Sequence, residues 1–88
     1  MCGIKLFIIP MVSIRFAFYL AEKEDEARAE HHRVYGVLAL TIRDGSDKMD
    51  METYCEDIKK WQSFRNLKQQ VLEFPYYAGE MYARGAKG

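Results

Sequence analysis

Residues 13–21, SIRFAFYLA, alternate without a break. Ile14, Phe16, Phe18 and Leu20 fall on one side; Ser13, Arg15, Ala17 and Tyr19 fall on the other. A period of two over this length is that of a half-buried strand. The chain must therefore build a sheet around this segment. Just upstream, residues 4–9 (IKLFII) are apolar, branched and aromatic, and Pro10 ends the run, which predicts a short strand. Proline donates no ladder bond, so Pro10 marks an edge, a bulge or a corner between the two strands. Residues 34–43 alternate again: Val34, Gly36, Leu38, Leu40 and Ile42 oppose Tyr35, Val37, Ala39 and Thr41. Both faces are mostly apolar, which predicts a central strand. Asp44-Gly45-Ser46 ends it with turn chemistry. Residues 76–84, rich in tyrosine and interrupted by Gly79, can form a last strand.

Residues 46–74 read differently. Ser46, Asp47 and Asp50 can each cap a helix start, and Pro75 forbids helix at the residue before it. The expectation is one long helix over 47–74. Its charges are sorted: six acids and one base lie between Asp44 and Asp57, and four bases and no acid between Lys59 and Gln70. That order complements a helix macrodipole without any ligand. At about 100° per residue, Met51, Tyr54, Cys55 and Ile58 form one apolar stripe. Trp61, Phe64, Leu67 and Val71 form another, turned by about a quarter revolution. A helix wrapping a twisted sheet, a kink near Gln62-Ser63, or a second partner molecule would each account for the turn. Residues 22–33 (EKEDEARAEHHR) hold strong helix formers with only alanine as apolar material. They fit a solvated helix supported by pairs such as Glu24–Arg28, or the exposed end of a hairpin.

Eighty-eight residues, 49% apolar, suffice for one domain with a modest core. The element order predicts an α+β fold: an antiparallel sheet of three or four strands, with the long helix across one face. Thirteen bases balance thirteen acids, which removes any bulk electrostatic drive toward nucleic acid or anionic membrane and leaves little repulsion between copies. The apolar run 4–20 contains Lys5, Pro10 and Arg15, so two buried strands are expected there rather than a membrane span or signal peptide. Cys2 and Cys55 are expected as reduced thiols in a cytoplasmic protein.

The chain opens Met-Cys-Gly-Ile. This resembles the start of the class II glutamine amidotransferases, in which the initiator methionine is removed and the exposed cysteine becomes the nucleophile, with its own α-amine as base. The resemblance covers four residues. That family's domain is roughly twice this long, and its further glutamine-binding and oxyanion motifs are not found here. His31 and His32 are adjacent and so point apart, which predicts two surface histidines rather than a metal site. Glu22, Glu24, Asp25, Glu26 and Glu30 lack the ligand order of a calcium loop and read as a solvated surface. No cofactor or metal is expected.

Two binding surfaces remain. Trp61 and Phe64, on the second stripe, are residue types favoured as interface anchors. Tyr76, Tyr77 and Tyr82 add a second aromatic group. Lys59, Lys60, Arg65 and Lys68 surround Trp61 and could hold phosphates, but on a helical wheel they circle the axis instead of forming one footprint. The expected function is a small non-enzymatic regulator or inhibitor, of the kind phages also carry. It would bind another protein through an aromatic, apolar surface and self-associate as a homodimer. A nucleic-acid-binding module built on the four basic residues is the alternative.

Overall fold

The computed structural model describes residues 3–11, 15–55 and 59–82. Strands β1 (Lys5–Pro10) and β2 (Arg15–Ala21) pair antiparallel, with Ile8 opposite Phe18. Helix α1 (Glu24–Tyr35) follows, then a short strand β3 (Arg43–Asp44) and a single 3-10 turn (Ser46–Lys48). A hairpin of β4 (Glu52–Cys55) and β5 (Lys60–Ser63) leads into helix α2 (Phe64–Gln70), and β6 (Tyr76–Tyr82) closes the chain. The larger sheet is antiparallel with order β3-β1-β2-β6, and β4-β5 form a separate two-stranded sheet. The fold is α+β.

Each face of the larger sheet has its own cover, and β2 divides its residues between them. Ala17, Tyr19 and Ala21 join Phe7 and Ile9 under α1. Phe16, Phe18 and Leu20 join Leu6 and Ile8 on the opposite face, where Cys55, Phe64 and Leu67 pack from the hairpin and α2. The strict alternation of the sequence is thus used twice, with both sides of the strand buried.

The long helix expected over 47–74 is not present. Among the described residues the longest helix is α1, with twelve residues, and α2 has seven. Residues 52–55 alternate exposed and buried, and Thr53 and Cys55 face inward while Glu52 and Tyr54 face outward. That is strand period, and the quarter-turn between the two apolar stripes is the trace it leaves when drawn on a helical wheel. Helix begins only at Phe64, where Ser63 caps it by accepting from the Asn66 amide at 3.2 Å. The charge sorting of this stretch therefore does not belong to one helix dipole.

The central strand expected over 34–43 is also absent. Helix α1 runs on to Tyr35, and Gly36, at φ 76°, terminates it by donating to the His32 carbonyl at 2.8 Å. Only Arg43 and Asp44 pair with β1, opposite Ile8 and Phe7. The Gly45 amide donates to the Leu6 carbonyl, so even-numbered residues of β1 direct their backbone polar groups toward β3. The next donor on that side would belong to Pro10, which has none, and the ladder stops.

Residues 22–33 fall mostly within α1, and the Glu24–Arg28 pair forms at 3.1 Å. The helix is not polar all round. Ala27 and His31 are buried, Tyr35 is half-buried one turn further on, and this stripe faces the sheet. The expectation of two surface histidines therefore holds for His32 and fails for His31. The apolar N-terminal run supplies β1 and β2, and among the described residues no helix is long and apolar enough to cross a membrane.

Candidate protein-binding cleft

The hairpin sorts its side chains by parity. Tyr54 and Trp61 are directly opposite on its outer face, with ring centroids 5.7 Å apart in an edge-on arrangement. Thr53 and Gln62 are opposite on its inner face and are buried. Trp61 is 64% exposed, an unusual state for the largest apolar side chain in the sequence. It stands at the wall of a cleft of about 880 Å³. The floor comes from the sheet: the half-buried Phe16 and Met81 beside the buried Ile8 and Phe18. Met51 and Trp61 form apolar walls, and Arg43, Asp44, Lys48 and Glu52 place both signs of charge at the rim. Lys48 and Asp47 also form an exposed pair at 3.5 Å.

The other aromatic candidates lie elsewhere. Phe64 is fully buried, its ring 5.0 Å from that of Phe18, so it is part of the core beneath the cleft. Tyr76 and Tyr77 are half-buried on opposite faces of β6: Tyr76 packs with the hairpin cluster and Tyr77 with the α1 cluster. Tyr82 ends β6. Trp61 is thus brought together with Met51, Phe16 and Met81, a grouping that appears only once the strands have folded.

The basic candidates split between two elements. Lys59, at φ 56°, sits in the turn, and Lys60 opens β5. Arg65 and Lys68 lie on α2, beyond the other end of that strand. The length of β5, about 10 Å, separates the two groups. Arg65 is already engaged, with Nε donating to Asp50 at 2.9 Å; the hydrogen bond and the charge hold that carboxyl below its ordinary range.

Under α1, on the opposite face, lies a polar cluster that sequence reasoning missed. The Tyr19 hydroxyl is 2.7 Å from His31 Nδ1. The Tyr35 hydroxyl meets that of Tyr77 and donates to Glu80 at 2.8 Å, and Arg15 reaches the same carboxylate at 3.2 Å. Burial pushes the Tyr19 and Tyr35 hydroxyls up and the His31 imidazole down. The Tyr35 hydrogen bond holds the Glu80 carboxyl low, against some burial, with Arg15 assisting. The hydroxyls thus stay protonated and able to donate, which fits a structural network. The one available signal was the four-residue spacing of Ala27, His31 and Tyr35.

Cys55 is a buried free thiol, and Cys2, with the Met-Cys-Gly-Ile resemblance, lies outside the described residues. Among the described residues no three His, Cys, Asp or Glu side chains are grouped to hold a metal ion. No family model, curated protein or solved structure matches the chain.

Proposed function

We propose that this protein is a small non-enzymatic regulator or inhibitor that binds a partner protein in the cytoplasm, taking an apolar side chain of that partner into the cleft beside Trp61. One observation carries the reading. An exposed tryptophan, braced edge-on by Tyr54, walls a cleft floored by Ile8, Phe16, Phe18 and Met81. Exposed apolar clefts rimmed by polar groups commonly mark interaction sites, and tryptophan is enriched at their energetic centres. The rim carries Arg43 and Lys48 beside Asp44 and Glu52. It therefore favours a segment whose apolar anchor is flanked by charges of both signs, since complementary rims set orientation and register. Self-association through the same cleft is part of the proposal, because a chain of zero net charge offers little repulsion between copies.

The test is selection from a random peptide library on the folded protein, with the Trp61→Ala variant as counter-selection. Enrichment of peptides that carry an apolar anchor between charged residues, lost in the variant, is the expected result. No Trp61-dependent enrichment would overturn the reading. Salt-sensitive retardation of DNA or RNA, lost when Lys59, Lys60, Arg65 and Lys68 are neutralised, would instead favour the nucleic-acid alternative.

A further inference from the structure

Trp61 and Gln62 are neighbours in β5 and so face opposite sides of the hairpin. On the inner side, between the hairpin, α2 and the segment 71–76, is a separate cavity of about 350 Å³. Gln62 lines it and is 6% exposed. Its Oε1 accepts from Gln70 Nε2 at 2.6 Å. Its own Nε2 is buried and has no hydrogen-bond partner among the described residues. A buried amide donor left without an acceptor is costly, and native proteins rarely carry one without a reason.

The rest of the lining indicates what could supply the missing acceptor. Leu67 and Val71 provide an apolar wall, Cys55 closes one side with its thiol 3.5 Å from the Tyr76 hydroxyl, and Glu73 adds an exposed carboxylate. The donor calls for a carbonyl oxygen, the wall for a short branched chain, and the carboxylate for a cation rather than an anion. We propose that this cavity is a binding site for an α-amino amide with a short apolar side chain, as presented by a free amino-acid amide or by the N-terminus of a peptide. The carbonyl accepts from Gln62 Nε2, the side chain lies against Leu67 and Val71, and the ammonium faces Glu73. A volume of this size is at the small end of ligand sites and suits one residue.

The experiment follows the Gln62 side-chain amide by proton–nitrogen NMR while leucinamide or the tripeptide Leu-Gly-Gly is added to the intact protein. Saturable shifts at that amide with either probe are expected, at millimolar affinity. Tighter binding of the tripeptide assigns the site to a peptide terminus, and equal or weaker binding assigns it to the free amide. Gln62→Met keeps the volume and removes the donor, and should weaken leucinamide about tenfold. Glu73→Gln alters only an exposed side chain. It should weaken leucinamide by a similar factor while leaving the uncharged analogue 4-methylpentanamide unaffected. Absence of shifts at Gln62 with both probes, undiminished binding by a folded Gln62→Met protein, or equal binding of leucinamide and 4-methylpentanamide by the unaltered protein would each overturn the proposal.

Discussion

The Tyr19 hydroxyl and His31 Nδ1, 2.7 Å apart, join an inner strand of the sheet, β2, to the buried face of α1. A neutral imidazole with its proton on Nε2 accepts from that hydroxyl. Burial holds the imidazole's pKa below its ordinary value of 6.5, and Tyr35, Glu30, Tyr77, Glu80 and Arg15 are the other titratable or charged groups nearby.

Stability should therefore fall as pH drops below about 6.5. In that window the unfolded chain takes up a proton at this histidine and the native protein does not, so acid favours the unfolded state. The loss ends once the native imidazole also protonates. Glu80 and Asp50, whose carboxyls are held low, add stability that is lost only at more acid pH, as they protonate. Urea midpoints at about pH 7.5 and pH 5.5 should differ, and His31→Gln should flatten that difference. An unchanged dependence in the variant would remove His31 as its source.

Tyr35→Phe should release Glu80. The Tyr35 hydroxyl is the largest influence holding that carboxyl low, so its loss should raise the Glu80 pKa toward the ordinary carboxylate value even with Arg15 in place. A carbon-13 titration of the side-chain carboxyl reads this directly. The variant also leaves the Tyr77 hydroxyl without its partner, at a cost of about 1–3 kcal/mol in urea unfolding.

Trp61 and Phe64, three residues apart, should respond in opposite ways. Phe64 is fully buried against Phe18, and Phe64→Ala should cost about 3–5 kcal/mol, a large share of the stability of a domain this size. Trp61 touches mainly Tyr54 and solvent, so Trp61→Ala should cost about 1 kcal/mol or less. Equal losses in thermal unfolding would show that Trp61 is a core residue, and the cleft would lose its anchor.

Pro10→Ala restores a backbone donor on the side of β1 that faces β3. If the missing N–H is what ends that ladder, the new amide should exchange slowly with solvent, and residues 41–42 should become extended beside it. Exchange at the rate of an open loop would mean that the bend around Leu40, not the proline, stops the strand.

The part of the fold that could be read from sequence is the part whose period is unambiguous. Among the described residues, the stretches expected as strands at 4–9, 13–21 and 76–84 contain β1, β2 and β6, because branched and aromatic residues dominate there with few competing signals. The C-terminal half was misread because short strands fit a helical pattern by accident. Tyr54, Cys55 and Met51 match a three-and-four spacing, yet the inward pair is Thr53 and Cys55, two apart. Residues 34–43 failed for a different reason. Their alternation is real, but Gly36 caps a helix within them, and the neighbouring strand lacks a donor where pairing would continue. Of the candidate site, residue type singles out Trp61 and Phe64 together, and the fold exposes the first and buries the second. The partners of Trp61 come from β1, β2 and β6, and no local spacing connects them.

The division of β2 between two cores has an evolutionary corollary. Ala17, Tyr19 and Ala21 serve one core while Phe16, Phe18 and Leu20 serve the other. Inserting or deleting one residue in this strand would exchange the two sets, pushing phenylalanines into the tight space beneath α1 and an alanine and a tyrosine toward α2. Substitutions that conserve volume can accumulate on either side, but the length of β2 cannot drift. Changes in chain length should instead collect at the exposed positions 36–38 and 40–41, on either side of the buried Ala39, where no ladder counts residues. Related sequences should be aligned first on the strand and only then on the cleft.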